Sequence, residues 1–231
     1  MSRADEFVFA PPATPALEVA GMQGRFPVRR IYCVGQNYAA HAAEMGHHER
    51  TPPFFFGKPA DAAVPGGGHI PYPSETHNFH HEVELVVALG KGGANITREA
   101  ARDHVFGYAV GIDLTRRDLQ AAAREKKQPW DTAKGFDRSA PVGAIRPVSQ
   151  VGHIAKGAIW FKVNGMQKQS GDISDLIWPV PDIIAELSKF FALAAGDLIF
   201  TGTPSGVGPL LRGDRGEGGI DGLGTIAIEI V

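Results

Sequence analysis

Glycine and proline interrupt this chain at intervals too short for long helices. Of its 231 residues, 29 are glycine and 17 proline, scattered along the sequence rather than gathered into a low-complexity tract. Proline removes a backbone donor and clashes inside a helix, and glycine costs about 1 kcal/mol there relative to alanine. A helical bundle does not tolerate that load, whereas many short strands joined by tight turns use both residues. Hydrophobic residues at 43% and charged residues at 21% describe an ordinary globular chain, long enough for one well-buried core and short for two full domains.

Charge and cysteine content narrow the function classes. A formal charge of -2 and an isoelectric point near 6.5 leave no basic excess for a polyanion, so no nucleic-acid partner is expected. The longest apolar runs, such as Leu85 to Leu89 and Leu193 to Ala195, are far too short to span a bilayer, so no membrane partner is expected. No charged segment followed by an apolar stretch opens the sequence, so export is not indicated. Cys33 is the only cysteine, which rules out an intramolecular disulfide and a thiolate metal cluster. The expectation is a reduced, cytoplasmic enzyme or binding protein.

Residues 1–27 are polar, proline-rich and weakly periodic and read as a surface arm or partial cap; residues 28–231 read as one mixed domain with predominant β structure. Strands are predicted at Arg30–Gly35, Phe54–Phe56, Glu82–Leu89, Tyr108–Ile112, Ile159–Asn164 and Leu198–Thr201. Helices are predicted from Asn37 to Met45, from Thr97, from a Thr115/Asp118 capping box to about Lys126, and after an Asp182 cap. In the last, Ile184, Leu187 and Phe191 fall on one face. A short phrase recurs near the C-terminus, Gly196-Asp197 and Gly213-Asp214, each behind apolar residues, and suggests related strand turns.

Several constellations could carry chemistry. Glu82 and Glu84 sit at i and i+2 on a predicted strand and project together, with Asp113 at the end of another strand. Three carboxylates converging on one spot suit a hard divalent cation, Mg2+ or Mn2+; equally, the glutamates could form the solvated face of an amphipathic strand. His80 and His81 beside them read as structural or supporting groups. His41 and Glu44 share one helix face, where a carboxylate raises imidazole basicity, although pairs at this spacing are more often plain surface. Lys134 lies among aromatic and small residues, either partly desolvated and able to pair with a carboxylate or enolate, or snorkelling at the surface. Gly202 to Gly208 has glycines enough for backbone amides to approach an anion. It lacks the lysine of a nucleotide loop and the glycine order of a dinucleotide fold, and Ser205 lies in no nucleophile elbow.

Taken in order, these segments resemble the fumarylacetoacetate hydrolase family. The resemblance is carried by Val34-Gly35-Gln36-Asn37-Tyr38 with His41 and Glu44, by Phe56-Gly57-Lys58-Pro59, and by His80-His81-Glu82-Val83-Glu84-Leu85. Gly111-Ile112-Asp113-Leu114-Thr115 and Gly202-Thr203-Pro204-Ser205-Gly206-Val207-Gly208 complete it, from about Arg30 to the C-terminus. It implies an α+β fold, a β-rich mixed rolled sheet with peripheral helices, assembled as a homodimer. It implies that Glu82, Glu84 and Asp113 bind Mg2+ or Mn2+ and that His41 and Glu44 activate water. Lys134 matches a catalytic lysine, and Arg117, Gln120 and Thr203 match substrate-contacting positions. Gln36 departs from the pattern, standing where many members have arginine.

The short length fits the single-domain acylpyruvate hydrolases, and the texture around Pro52–Phe56, Lys58–Ala62 and Pro71–Ser74 is most similar to the fumarylpyruvate hydrolases of gentisate breakdown. The implied activity is hydrolysis of the carbon–carbon bond of an acylpyruvate, fumarylpyruvate to fumarate and pyruvate. The rival from the same site is a 2-oxo acid lyase, decarboxylase (oxaloacetate) or isomerase. A more distant rival, a catalytically silent binding protein, is disfavoured because the dyad and all three carboxylates are present.

Overall fold

The computed structural model describes residues 7–38 and 52–231, so most of the predicted helix from Asn37 to Met45, including His41 and Glu44, lies outside the described residues. The predominance of short strands is observed, in two large sheets. The first runs in the order Phe54–Lys58, Arg30–Gly35, Asp197–Phe200, Val83–Leu89, Val105–Ile112, Ala140–Val142 and Ala63–Pro65, with Arg146–Pro147 also paired to Val105–Ile112. It is mixed: Asp197–Phe200 runs parallel to Arg30–Gly35, and Ala140–Val142 parallel to Ala63–Pro65, while the other neighbours are antiparallel. The second runs in the order Met166–Asp172, Ala158–Val163, Arg215–Ile220, Gly224–Ile230 and Gly67–Ile70. Among the described residues, four α-helices sit at the periphery: α1 (Arg117–Glu125), α2 (Asp131–Lys134), α3 (Val148–Val151) and α4 (Val180–Phe190). This is the β-rich α+β fold, a mixed rolled sheet with peripheral helices.

The centre of the molecule is the strand Val83–Leu89, buried along its whole length. Its odd-numbered residues, Val83, Leu85, Val87 and Leu89, pack with Phe161, Val163, Ile226 and Ile228 of the second sheet. Val86 and Ala88 point the other way, into a second cluster with Ile31, Cys33, Ala109, Leu198 and Phe200. Leu17, Val19 and Phe26 close that cluster from outside, where Ala16–Leu17 pairs with Phe26–Pro27. A strand covered on both faces cannot present a solvated edge of glutamates, and the amphipathic-strand reading of Glu82 and Glu84 is overturned: they are 5% and 2% exposed.

Three local readings are also corrected. No helix begins at Thr97; its hydroxyl accepts the Ala100 N–H and a short 3-10 turn follows at Ala101–His104. Thr115 forms no capping box, because α1 begins at Arg117 and the Thr115 hydroxyl donates instead to the Asp113 carbonyl. Asp182 lies within the first turn of α4 rather than at its cap, which is Pro179, and is paired with Arg98 at 3.1 Å. The repeated phrase, by contrast, is a repeated turn. Gly196 and Gly213 both have left-handed φ, and in each case the following aspartate accepts a backbone N–H three residues back, Ala194 to Asp197 at 2.8 Å and Leu211 to Asp214 at 2.7 Å.

Gly111 faces Glu84 across the ladder, and a Cβ there would lie 2.4 Å from Val86 Cγ2 and 2.8 Å from Phe200 Cε1. Both neighbours are packed side chains with little freedom to retreat. Gly111→Ala is expected to lower stability by about 1–3 kcal/mol, as overpacking does, measured as a shift in denaturant midpoint. An unshifted midpoint would contradict this packing.

Candidate active site

Strand register assembles the site. In the antiparallel pairing of Val83–Leu89 with Val105–Ile112, Glu84 stands opposite Gly111, and two residues further along each strand the Asp113 N–H donates to the Glu82 carbonyl at 2.7 Å. Because side chains alternate, Glu82, Glu84 and Asp113 all project to the same face at one end of the strand pair. Each offers a carboxylate oxygen within 4.8 Å of the others, and all three are buried. Gly111, lacking a side chain, lets Val86 and Phe200 pack closely against the ladder next to Glu84.

Two buried lysines and an arginine surround this anionic cluster. Lys134, at the end of α2, donates from Nζ to Glu82 Oε2, Asp113 Oδ2 and Thr115 Oγ1, each at 2.7 Å. Burial alone would lower its pKa, but the Asp113 and Glu82 carboxylates outweigh that and hold it above the ordinary lysine value. The snorkelling reading of Lys134 is therefore replaced by the buried, carboxylate-paired one. Lys58 Nζ lies 2.8 Å from Asp113 Oδ1 and donates to the Leu114 carbonyl at 3.2 Å and to that of Lys134. Arg117, opening α1, pairs with Glu82 Oε1 and donates to Gln120 Oε1 at 2.5 Å and to His80 Nδ1 at 3.3 Å.

The donor set fits a hard divalent cation. Glu84 Oε2 accepts the Gly202 N–H at 2.7 Å, yet burial first, and then the Asp113 and Glu82 charges, push its carboxyl well above the usual carboxylate range. Asp113 Oδ1 is buried and, despite its ion pair with Lys58, receives no aligned hydrogen bond among the described residues. A carboxyl whose charge is disfavoured by its neighbours, beside an oxygen with spare acceptor capacity, is the environment that an added cation relieves.

Above the cluster opens a small pocket lined by Gln36, Phe56, Trp130, Arg117, Gln120 and Thr203 as well as the carboxylates and Lys134. Seven of the nine site residues expected from sequence are thus together: Lys134, Arg117, Gln120, Thr203, Glu82, Glu84 and Asp113. Gln36 lines the same pocket with a left-handed backbone, φ 57°. The glycine loop 202–208 is not an open anion cradle. Gly202 gives its N–H to Glu84, while a Cβ at Gly206 would lie 2.1 Å from the Lys168 carbonyl, so the loop is clamped to the strand Met166–Asp172.

Sequence reasoning did not single out two buried polar residues. Lys58 was legible within Phe56-Gly57-Lys58-Pro59, as the last residue of its strand, but no local pattern says that its side chain turns inward to an aspartate. Gln169 sits in the polar run Gln167-Lys168-Gln169-Ser170 and is fully buried, and nothing in that run distinguishes it.

Comparison with known proteins agrees with this geometry. Residues 30–231 match the fumarylacetoacetate (FAA) hydrolase C-terminal family. The fumarylpyruvate hydrolase of Pseudomonas aeruginosa, whose crystal structure is a complex with Mn2+ and pyruvate, superposes with a TM-score of 0.96 at 54% identity, over 98% of this chain and 99% of that one. The fumarylpyruvate hydrolase of a Ralstonia species is 43% identical over 77% of this chain and 92% of its own length. A mitochondrial oxaloacetate tautomerase of Mus musculus is also 43% identical, over 87% of this chain and 91% of its own. With the fold, the carboxylate triad and these matches in agreement, the chain belongs to the fumarylacetoacetate hydrolase family.

Proposed function

We infer that this chain is a metal-dependent hydrolase cleaving the carbon–carbon bond of an acylpyruvate, with fumarylpyruvate as substrate and fumarate and pyruvate as products. The observation that carries the reading is the buried triad Glu82, Glu84 and Asp113 with Lys134 bonded into it, at the floor of a pocket edged by Arg117, Gln120 and Thr203. The three carboxylates would hold Mg2+ or Mn2+, which when bound supplies Lewis-acid polarisation of the 2-oxo acid end of the substrate.

The chain's own groups account for the remaining steps. Arg117 and Gln120, on one face of α1, orient the substrate carboxylate, and Thr203 borders it. Glu44, acting with His41, takes a proton from water, which attacks the C4 carbonyl. The C3–C4 bond breaks, its electron pair passing to pyruvate enolate, which Lys134 stabilises through its ammonium as charge develops. Protonation at C3 completes pyruvate, and the C4 fragment leaves as fumarate. The same reading takes the protein to be a cytoplasmic homodimer in gentisate-type aromatic breakdown. No helix among the described residues is long and apolar enough to cross a membrane.

Similarity to oxaloacetate tautomerases and to an oxaloacetate decarboxylase of Dictyostelium discoideum supports a second reading, in which the same site enolises or decarboxylates a 2-oxo acid. One assay separates them. The chelated protein, resupplied with Mg2+ or Mn2+, is expected to consume fumarylpyruvate by ultraviolet absorbance and release equal pyruvate and fumarate. Turnover of oxaloacetate with none of fumarylpyruvate would overturn the hydrolase reading in favour of the second.

A further inference from the structure

The strand pairing beside the two metal-facing glutamates stops at Leu85, two residues short of Val83. Asp197–Phe200 pairs with Val83–Leu89 as far as Phe200 opposite Val86, and the Thr201 N–H then donates to the Leu85 carbonyl at 3.1 Å. Val83, the residue between Glu82 and Glu84, has no strand on that side among the described residues. Side chains take the place of the missing strand: Thr203 Oγ1 donates to the Val83 carbonyl at 2.7 Å, and the Val83 N–H donates to Gln169 Oε1 at 3.1 Å. Gln169 Nε2 donates in turn to Thr203 Oγ1 and to the Pro204 carbonyl, both at 2.8 Å, and Gln169 Oε1 also meets His81 Nδ1 at 2.9 Å.

Gln169 reaches this position from the other sheet. It is the buried residue of the otherwise outward strand Met166–Asp172, where the register jumps from Phe161 opposite Gln169 to Lys162 opposite Gln167. Lys168 is the extra residue of a bulge, a device that re-aims a neighbouring side chain. All four hydrogen-bonding positions of the amide are used, and their directions are not free. Pro204 offers only a carbonyl and Val83 only an N–H, so Nε2 and Oε1 cannot exchange. His81 must then carry its proton on Nδ1.

We propose that Gln169 is a positioning residue for the metal centre: it holds Val83, and through it the spacing of Glu82 and Glu84, and it locks Thr203 against the same backbone. It touches neither substrate nor metal. The proposal rests on the triad being the metal site. It does not depend on which 2-oxo acid is turned over.

The test compares Gln169→Met, near in volume but without the amide, with Ser188→Ala, which removes an equally buried hydroxyl bonded to Ile96 and Ala185 away from the triad. Mn2+ affinity is read by titration calorimetry on full-length protein stripped of metal, with melting temperature alongside. Gln169→Met should weaken Mn2+ binding about 10–100-fold, the range for outer-shell partners, while Ser188→Ala lowers melting temperature and leaves Mn2+ affinity unchanged. Histidine 15N NMR of the metal-free wild type should show His81 protonated on Nδ1, a state that Gln169→Met loses. Unchanged Mn2+ affinity in Gln169→Met, with wild type binding normally, would overturn the role of Gln169 alone. A wild type that takes up no Mn2+ would overturn the metal reading and this inference with it.

Discussion

Glu84→Gln protein should lose Mn2+ and Mg2+ binding and turnover, and yet be at least as stable as wild type without metal. The substitution keeps an oxygen to accept the Gly202 N–H. It removes a charge that burial and the Asp113 and Glu82 carboxylates already disfavour. A buried ionised group without a matched partner costs several kcal/mol, so replacing it by a neutral isostere relieves the metal-free fold. Metal affinity moves in the opposite direction, because one of three anionic ligands is gone, and the loss should exceed the roughly 100-fold upper range for an outer-shell partner. Calorimetric Mn2+ titration and urea denaturation of the same preparation read both quantities. Unchanged metal stoichiometry would refute the ligand assignment, and a large stability loss would refute the electrostatic account.

Lys134→Met should do the reverse: the metal-free protein becomes much less stable, and turnover collapses even when Mn2+ is saturating. The Lys134 ammonium is the shared donor to Glu82, Asp113 and Thr115. Removing one side of a buried ion pair leaves the other charges uncompensated, at a cost of about 3–5 kcal/mol. Added Mn2+ should recover part of that stability by supplying positive charge to the same carboxylates. It should not restore turnover, since the enolate loses a preorganised ammonium whose loss costs about 100–1,000-fold. Turnover within a few-fold of wild type at saturating Mn2+ would remove Lys134 from the chemistry.

The opposite signs expected for these neighbouring residues follow from their partners. Glu84 carries a charge that the metal-free fold tolerates poorly, and Lys134 carries one that two carboxylates demand. Both are buried, so exposure alone does not separate them. Stability and function conflict at the first position and coincide at the second.

Much of this was legible in the linear chain. Period-two alternation around Val83, Leu85 and Val87 identified the central strand, and the i, i+2 spacing placed Glu82 and Glu84 on one side of it. Glycine before aspartate, twice, marked two turns that share one hydrogen-bond pattern. Such features depend only on the few residues on either side. The failures were local as well: the Thr97 hydroxyl accepts the Ala100 N–H as a cap would, but only a 3-10 turn follows, the Thr115 hydroxyl donates to the Asp113 carbonyl two residues back, and the Asp182 carboxylate pairs with Arg98 from elsewhere in the fold.

What the sequence by itself determined was the type of molecule: a glycine- and proline-punctuated β-rich domain, with the residues of a carboxylate centre at strand spacing and motifs that identify its family. Only the tertiary structure decided that those glutamates are buried rather than solvated, because burial of Val83–Leu89 on both faces depends on a second sheet contributed by residues far away in sequence. It also decided that Lys58 and Gln169 belong to the site. A lysine at a strand end and a glutamine in a polar run carry no local signal of burial. Their partners, Asp113 and Val83, lie 55 and 86 positions away, and the free energy of placing a polar side chain is set by the partners it meets in space.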